Sequence, residues 1–369
     1  MRVAIVHDWL QHCGGAERVL EQMLLCYPAA DLFAVVDFLP DEGRGFLHGR
    51  RPRTSFIQRL PFSRRMFRQY IGLMPLAVEQ FDLSGYDLVL SSSHAVAKGV
   101  LTGPDTVHVS YVHSPMRYAW DLQHQYLREA GLGRGVRGAY ARLLLAWLRR
   151  WDLGTANGVD RFLANSSYVA RRIRKVYRRE AEVVAPPVAT DVFTPGGTRG
   201  TAYLVAGRHV GYKRVDLVVA AFARMPGRQL LVVGEGPGHA RVRAAAAGAA
   251  NVAFRPAVPQ DELVGLLRAA QAFVFAGEED FGIVLAEALA CGTPVIAFGR
   301  GGARDIVAEG CGGFFDAQTP EAIVAAVERF EAKGFDAAAC REAALRFEPG
   351  RFRDGLRAAV ERAMAAGTS

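Results

Sequence analysis

Two glutamates beside a glycine-led apolar segment are the residues of this chain whose types and spacing point most directly to chemistry. Glu279 precedes the segment and Glu287 lies inside it. If the residues after Gly282 are helical, at about 1.5 Å rise per residue, the two carboxylates lie about two turns apart. They could then contact opposite ends of one elongated polar ligand, and a nucleotide-sugar has that length. An exposed helix often carries two acidic residues by chance, so the pair has to be judged in its context.

The sequence around the glutamates has the pattern of a strand, a loop, a helix and a second strand. Phe273–Phe275 is typical of a buried strand, an acidic turn with Gly282 follows, and Val295–Phe298 is the next apolar run. In a parallel sheet the loops after the strands lie at the carboxyl edge, where ligands bind. The two glutamates are therefore predicted to lie at that edge.

A basic loop upstream could supply the opposite charge. Gly207–Asp216 follows a predicted strand and precedes a helix, and its Arg208 and Lys213 can present two cations to a diphosphate. Taken alone, such a loop is more often simply solvated. A departing nucleoside diphosphate needs positive charge, from a metal on paired aspartates or from fixed side chains. The chain contains no Asp-x-Asp sequence, which favours the metal-independent route.

Two segments of the N-terminal half carry further candidates. Gly14 and Gly15 come soon after the first strand and open a helix, without forming a GxGxxG fingerprint, which argues against a dinucleotide oxidoreductase. A helix cap that needs glycine explains them equally well on local grounds. The loop Ser110–Asp121 contains His113 among other polar residues. A lone histidine after a strand is more often a packing residue than a ligand.

Composition sets the class of protein. The chain has 369 residues, half of them apolar, which is enough for two ordinary domains. Its five cysteines are scattered and indicate neither a disulfide framework nor a metal site, so a reduced cytoplasmic setting is expected. We expect no signal peptide and no membrane span. The net charge of +8 suits nucleic acid, anionic lipid or phosphorylated small molecules.

Strand-like and helical patterns alternate along the whole chain, which predicts an α/β fold with parallel sheets flanked by helices. The predicted strands are Val3–Val6, Leu88–Ser91, Val107–Tyr111, Arg161–Ala164, Ala202–Ala206, Gln229–Val233, Phe273–Phe275 and Val295–Phe298. Three prolines and two glycines interrupt the pattern in Ala185–Gly197, which is the best candidate for a domain boundary. Near the C-terminus, Phe352, Leu356 and Val360 have the spacing of one buried helical face.

The acidic motif, the basic loop, the glycine loop and the His113 segment together resemble family 4 of the retaining glycosyltransferases. The form is that of mannosyltransferase-like members that build O-antigens and exopolysaccharides. The resemblance implies the GT-B architecture: two Rossmann-like, doubly wound domains facing across a cleft, with a C-terminal helix that returns to the first domain. It implies an acceptor-binding domain at residues 1–190, a donor-binding domain at 191–346, and the returning helix at 347–369.

The resemblance also implies roles for individual residues. The catalytic set would be His113, Glu279, Arg208 and Lys213. The donor-binding set would be Gly14, Gly15, Arg208, Lys213, Glu279, Asp280, Phe281, Gly282, Ile283 and Glu287. Arg208 and Lys213 would stabilise the leaving diphosphate, Glu287 would accept hydrogen bonds from the ribose, and Glu279 would contact the donor sugar. His113 would bind a sugar hydroxyl, and Arg117, Tyr118 and Asp121 would lie near the sugar or the acceptor. No metal, no cofactor and no general base are assigned.

Two segments combine exposed-type apolar residues with arginines, at Thr54–Met74 and Arg134–Trp151. Basic amphipathic helices of this kind suit an anionic membrane surface. An ordinary helix with a core stripe and solvated arginines explains them about as well. A lipid-linked acceptor would give the membrane interpretation a purpose, and a peripheral position on the inner face of the plasma membrane would follow.

The leading hypothesis is therefore a retaining hexosyltransferase. By the resemblance, it would move mannose from GDP-mannose to a lipid-linked saccharide in surface polysaccharide biosynthesis. A nucleotide-sugar epimerase or hydrolase of the same architecture is the alternative among enzymes. A basic nucleic-acid-binding protein is the alternative of another class, but the arginines are dispersed and no recognisable module is present, so no nucleic-acid partner is expected.

Overall fold

The computed structural model describes residues 1–367 and divides the chain into two compact units. The first unit comprises Met1–Pro186 together with the C-terminal segment from Phe352, and the second unit comprises Pro187–Arg351. The first division falls inside the proline-rich segment that the sequence indicates as a boundary. Each unit is built on its own parallel sheet.

Within the described residues, the sheet of the first unit has seven parallel strands in the order β3-β2-β1-β4-β5-β6-β7. The strands are β1 (Val3–Leu10), β2 (Asp31–Asp37), β3 (Arg53–Thr54), β4 (Leu88–Ser93), β5 (Val107–Val112), β6 (Arg161–Ala164) and β7 (Ala181–Val183). The chain builds outward from β1 to β2 and β3 on one side and from β4 to β7 on the other. The winding direction therefore reverses between β1 and β4, and such a reversal leaves a crevice at the carboxyl ends of the two strands.

Helices flank this sheet on both faces. They are α1 (Gly15–Cys26), α2 (Ser63–Met66), α3 (Met74–Glu79), α4 (Gln123–Glu129), α5 (Gly135–Thr155) and α6 (Ser167–Tyr177). Short 3-10 turns lie at Asp41–Gly43, Gly45–Leu47, Phe56–Arg59, Phe67–Gly72, Ala97–Gly99 and Ala156–Gly158. Ser166 caps α6, because its Oγ accepts a hydrogen bond from the Val169 amide at 3.0 Å.

The sheet of the second unit has six parallel strands within the described chain, in the order β10-β9-β8-β11-β12-β13. They are β8 (Tyr203–Ala206), β9 (Leu230–Val233), β10 (Val252–Arg255), β11 (Phe273–Phe275), β12 (Val295–Phe298) and β13 (Gly312–Phe315). Here the winding reverses between β8 and β11. The basic loop that follows β8 and the acidic turn that follows β11 are therefore brought to the same edge.

The helices of the second unit follow its strands in alternation. They are α7 (Val215–Phe222), α8 (His239–Ala245), α9 (Gln260–Ala269), α10 (Ile283–Ala290), α11 (Ala303–Ile306), α12 (Pro320–Lys333) and α13 (Ala337–Leu345), with a 3-10 turn at Gly211–Lys213. The α/β fold with two parallel, doubly wound sheets that the sequence predicts is confirmed.

The last helix, α14 (Pro349–Gly367), belongs to the first unit from Phe352 onward. Phe352, Leu356 and Val360 are buried in the core of that unit together with residues of β1 and α1, and this confirms their predicted buried face. The Phe352 ring packs edge-on against Tyr111 of β5, with ring centroids 5.6 Å apart. Among residues 1–367, no helix combines the length and the apolar character needed to cross a bilayer.

Candidate functional site

The basic loop and the acidic turn of the second unit meet through one ion pair. The Nζ atom of Lys213 lies 3.0 Å from Oε1 of Glu279, and each side chain is only 18% exposed. The two residues are 66 positions apart in sequence, and the reversal between β8 and β11 brings them together. Two residues that the resemblance assigns to the diphosphate and to the donor sugar are thus in direct contact. A ligand held by one of them would lie within reach of the other.

Arg208 lies on the same loop with a different environment. Its side chain is exposed, and in the described chain its guanidinium makes no hydrogen bond or ion pair. A planar guanidinium in this position suits bidentate contact with phosphate oxygens. The structure therefore places one held cation, Lys213, and one exposed cation on the loop after β8.

The acidic turn is held by a second glycine pair. The Gly302 amide donates to the Glu279 carbonyl at 2.9 Å. Gly301 has φ +69°, and a Cβ on it would lie 2.4 Å from the same carbonyl oxygen. A side chain at either position would push the turn away, so Gly301 and Gly302 shape the turn that carries Glu279.

The helix α10 begins directly after the acidic turn. Gly282 is its N-cap in the left-handed region, at φ 95° and ψ 62°. The first amides of a helix have no intrahelical acceptors, so the amides that follow Gly282 can serve a polar ligand. Asp280 and Phe281 are buried, whereas Ile283 is partly exposed. Glu287 lies in the second turn of α10 and is 6% exposed, so the helix between the two glutamates forms as predicted.

In the first unit, the glycine loop after β1 caps a helix. Gly14 is the N-cap of α1, and its amide donates to Oε2 of Glu17 at 2.9 Å, while Gly15 is the first helical residue. Gly14 therefore caps the helix, as the alternative explanation offered by the sequence has it, but its backbone is extended at φ −136° and does not require glycine. A contact of Gly14 or Gly15 with donor or acceptor stays a prediction.

His113, which follows β5, ends a buried chain of polar contacts. Its Nε2 lies 2.8 Å from Oγ of Ser92, and that same hydroxyl lies 3.0 Å from Nδ1 of His7. Nε2 of His7 in turn lies 3.7 Å from Oε1 of Glu17. The chain Glu17–His7–Ser92–His113 therefore links α1, β1, β4 and the loop after β5. With Nε2 engaged by Ser92, a sugar hydroxyl would have to bind His113 through Nδ1.

Burial and neighbouring groups together determine the charges in this chain. Burial, followed by the neighbouring His94 and His7 rings, lowers the pKa of His113 to about 3, so the His113 ring is neutral near pH 7. Burial opposes ionisation of Glu17, but the contact with the His7 imidazole outweighs it and lowers the pKa of Glu17 to about 2. A neutral imidazole exchanges hydrogen bonds with sugar hydroxyls without adding charge.

A second polar group lies beside this chain, at the carboxyl ends of β1 and β4. Asp8 is fully buried, and its carboxylate accepts four backbone hydrogen bonds from the amides of residues 94–97, at 2.6 to 2.9 Å. Nδ1 of His94 lies 3.0 Å from Oδ2 of Asp8 as an ion-pair contact. Sequence reasoning missed both residues. Aspartate in a run of buried strand residues was the available signal, because an unpaired carboxylate is rarely buried.

The remaining predicted residues lie on the loop after β5. Asp121 pairs with the Arg172 guanidinium of α6, which also donates to Oγ of Ser114 at 2.8 Å. Asp121 is therefore tied to the packing of the loop. The Tyr118 ring packs edge-on against Tyr126, with centroids 6.3 Å apart, and its buried hydroxyl has no hydrogen-bond partner within residues 1–367. Arg117 is partly exposed on the same loop.

Comparison with known proteins supports the same architecture. Anabaena HepE, solved in complex with UDP and glucose, superposes with a TM-score of 0.70 at 16% identity, over 98% of this chain and 99% of HepE. Sucrose-phosphate synthase from Thermosynechococcus elongatus gives a TM-score of 0.71 at 19% identity, over 99% of this chain and all of that protein. At these identities the likeness shows the fold alone.

Curated relatives match part of the chain. D-inositol 3-phosphate glycosyltransferase of Mycolicibacterium smegmatis is 35% identical over 178 residues, which are 42% of this chain and 41% of that protein. The enzyme of the same name from Acidothermus cellulolyticus is 34% identical over 224 residues, 51% of this chain and 50% of that protein. The chain thus spans half or less of the length of these relatives.

Family models account for both units. The model described as Glycosyltransferase Family 4 matches residues 13–192, and the model described as Glycosyl transferases group 1 matches residues 198–347. The two matches follow each other along the chain, and the paired Lys213 and Glu279 lie inside the second. With two doubly wound sheets and this pair at the switch point of the second, the chain belongs to glycosyltransferase family 4, of the GT-B fold.

Proposed function

We propose that the protein transfers a hexose, with retention of configuration, from a nucleotide-sugar to a lipid-linked saccharide. The contact between Lys213 and Glu279 carries the proposal. The cation is suited to the charge that develops on a departing diphosphate, and the carboxylate is suited to accept hydrogen bonds from sugar hydroxyls. Membership of family 4 and the structural likeness to a protein solved with UDP and glucose support a nucleotide-sugar donor.

We propose mannose from GDP-mannose as the donor, with no metal ion and no cofactor in the reaction. The resemblance of the sequence motifs to mannosyltransferase-like members supports mannose. Arg208 and Lys213 supply fixed positive charge on the phosphate side. The curated relatives are named D-inositol 3-phosphate glycosyltransferase. A phosphorylated cyclitol is therefore the second acceptor to test beside a lipid-linked saccharide.

A thermal-shift screen tests the donor. The full chain is heated with UDP-, GDP-, ADP- and dTDP-sugars in the presence of EDTA, and a ligand of the native state raises the Tm by mass action. We expect the largest rise with GDP-mannose. A larger rise with UDP-glucose would reassign the donor, and no rise with any nucleotide-sugar would overturn the proposed function. Transfer to prenyl-diphosphate-linked N-acetylglucosamine and to inositol 3-phosphate is then compared, with the anomeric configuration of the product read by NMR.

We further propose that the first unit docks on an anionic membrane, through the outer face of α5. An exposed apolar stripe at helical spacing runs along this face. Its members are Val136 (87% exposed), Tyr140 (68%), Leu143 (72%) and Trp147 (45%). Arg134, at its N-cap, and Arg137 on the helix are exposed as well.

The charge of α5 favours anionic lipid as the occupant of this stripe. Further exposed arginines on the helix are Arg142 and Arg150, and the one acidic residue of α5, Asp152, is buried. An exposed apolar stripe flanked by arginines is the pattern of a helix that lies in the headgroup region. Phe62 adds a 76% exposed ring on the neighbouring Thr54–Met74 segment, between further arginines. A lipid-linked acceptor would be reached from that position.

Vesicle co-sedimentation tests the docking surface. We expect the protein to pellet with phosphatidylcholine vesicles that contain phosphatidylglycerol and to stay in the supernatant with phosphatidylcholine alone. Leu143→Glu should abolish pelleting, because it places a carboxylate in the apolar stripe. Leu101→Glu is the matched control, since Leu101 is 63% exposed and lies outside the stripe. Equal pelleting of both variants with anionic vesicles would contradict the assignment.

A further inference from the structure

The Asp8–His94 pair lies beside the His113 chain, and neither residue has a role in the donor site described above. Asp8 is held rigidly, because the four amides of residues 94–97 and the imidazole of His94 surround its carboxylate. A carboxylate with this many donors remains ionised. Burial opposes ionisation, but the charge of His94 and the hydrogen bonds it donates outweigh burial, and the pKa of Asp8 lies well below its ordinary value.

The His94 ring is oriented by contacts on one edge and faces solvent on the other. Nδ1 is buried against Asp8, yet 29% of the side chain is exposed, so the accessible part of the ring lies away from the carboxylate. Trp9 meets the ring edge-on, with centroids 4.5 Å apart and planes at 86°. The His94 centroid is 6.3 Å from that of His113, the residue assigned to the donor sugar. A histidine held by a buried carboxylate, with its second nitrogen directed outward, is the arrangement of a general base.

We propose that His94, oriented by Asp8, takes the proton of the acceptor hydroxyl during transfer. The inference rests on the proposed function, since it assumes a nucleotide-sugar donor. The acceptor oxygen forms the new bond to the anomeric carbon, and the bond from that carbon to the diphosphate breaks with its electron pair leaving on the diphosphate. The acceptor proton passes to Nε2 of His94. Asp8 stabilises the imidazolium until the proton is released to water, and it acts as a positioning residue.

The groups that face His94 define the expected pH dependence. Asp8 and His7 lie on β1, Glu17 on α1, and Arg117 and His113 on the segment after β5. Burial disfavours the charged ring and Arg117 repels it, but the attraction of Asp8 and then of Glu17 prevails, so the pKa of His94 is raised. A base must be neutral to accept a proton. The kcat of the wild type should therefore fall as the pH drops through the raised pKa of His94.

The test uses the full chain with the donor identified by thermal shift and prenyl-diphosphate-linked N-acetylglucosamine as acceptor. We expect His94→Gln to lower kcat by about 10²- to 10⁴-fold, the usual contribution of a general base. The acidic limb of the pH profile should disappear with it, and free imidazole should restore part of the activity of His94→Ala. Donor binding, measured by the same Tm rise, should be unchanged. His124→Gln, at an exposed histidine of α4, is the matched control and should behave as the wild type.

Three results would overturn the assignment. The first is a kcat of His94→Gln within threefold of the wild type, which would leave the proton to the departing phosphate. The second is a higher KM for the acceptor at an unchanged kcat, which would make His94 a binding residue. The third is a lower kcat with an unaltered pH profile and no imidazole rescue. Because Tm shifts are read separately, an absent donor response in the wild type identifies failure of the proposed function instead.

Discussion

The carboxyl edges of the two sheets present polar groups in different ways. In the second unit the edge is shaped by backbone: Gly301 and Gly302 fit against the turn of Glu279, and one partly exposed ion pair to Lys213 closes the contact. In the first unit the edge is made of side chains buried among themselves, with His7 fully enclosed and Asp8 surrounded by amides. Buried polar contacts therefore hold the edge of the first unit in place. The edge of the second unit keeps its shape because Gly301 and Gly302 have no side chains that would displace the turn.

This difference predicts how each edge responds to substitution. At the edge of the second unit, Arg208 is exposed and Lys213 is bound to the Glu279 carboxylate, so changes there should appear mainly in binding and turnover. A buried polar network contributes to stability through each group it satisfies, so changes there should also appear in the free energy of unfolding and its pH dependence. The following experiments test the contrast, from the largest expected effect to the smallest.

Removing the Lys213 cation at the edge of the second unit should have the largest effect, a loss of turnover. We expect Lys213→Ala to lower kcat by about 10²- to 10³-fold, as loss of one fixed group facing transition-state charge does. The Tm of the nucleotide-free protein should also fall, by a smaller measure, because the Glu279 side chain is only 18% exposed and loses its counter-ion. Steady-state transfer and thermal unfolding measure the two effects.

Lys333→Ala is the matched control, since Lys333 is an exposed lysine of the same unit that lies 3.9 Å from Glu309. It should retain wild-type turnover. If Lys213→Ala also retains turnover, Lys213 is only the counter-ion of Glu279, and the second edge loses its assigned role in binding phosphate.

Adding a methyl group to the glycine turn should have an intermediate effect. Gly301→Ala places a Cβ 2.4 Å from the Glu279 carbonyl oxygen in addition to the strain at φ +69°. Gly310→Ala has a similar φ of +80°, with nothing within 4 Å of the new atom. We expect about 1 kcal/mol of destabilisation for Gly310→Ala and a further ~1–3 kcal/mol for Gly301→Ala.

Calorimetric unfolding measures both variants, and nucleotide-sugar affinity is measured beside it. Only Gly301→Ala should weaken the affinity, because only that substitution displaces the turn of Glu279. Equal affinities for the two variants would show that the position of the turn does not matter for the donor.

Acidification should destabilise the first unit by a smaller amount. Burial lowers the pKa of His108 to about 4 and that of His113 to about 3, whereas the ordinary value is near 6.5. The unfolded chain therefore binds more protons below pH 6.5, and stability is lost as the pH falls from there towards 3. His94 has a raised pKa and acts in the opposite direction. Between pH 7 and 5 we expect a net loss of roughly 1–3 kcal/mol.

Tryptophan fluorescence isolates this effect, because all four tryptophans belong to the first unit: Trp9, Trp120, Trp147 and Trp151. Urea unfolding followed at pH 5 and at pH 7 gives the change in the free energy of unfolding with pH. His108→Gln should reduce the slope, and His124→Gln should leave it unchanged. A flat profile in the wild type would show that the buried histidines do not govern the first unit.

The strands predicted correctly from the sequence were those whose residue pattern is typical of a strand and of no other element. The eight predicted segments all form strands, whereas β2, β3, β7, β10 and β13 were not predicted. β3 and β7 have only two and three residues. β2 is a short continuous apolar run that periodicity cannot distinguish from a buried helix, and β13 begins with two glycines, which are depleted in strands. Pairing with a neighbour, which is a tertiary property, makes these segments strands.

The candidate site was predictable where its residues form local motifs. Glu279, Gly282 and Glu287 lie within one short segment, and the helix between the glutamates follows from the pattern. The sequence did not reveal four polar residues of the first unit, because each of them contacts a partner more than eighty residues away or on the neighbouring strand. They are His7, Asp8, Ser92 and His94. The serines of β4 and the aspartate of β1 have no motif of their own.

The sequence by itself determined the alternation of strands and helices, the segment at which the units divide, and the glycines and charges of the two loops in the second unit, because these depend on period, turn chemistry and side-chain type. Only the tertiary structure decided which residues meet. Strand order places Lys213 against Glu279 and Ser92 between His7 and His113. Burial and the neighbouring charges together then set the charge of each group, because the pKa of a side chain depends on solvent and neighbours that a linear pattern does not contain.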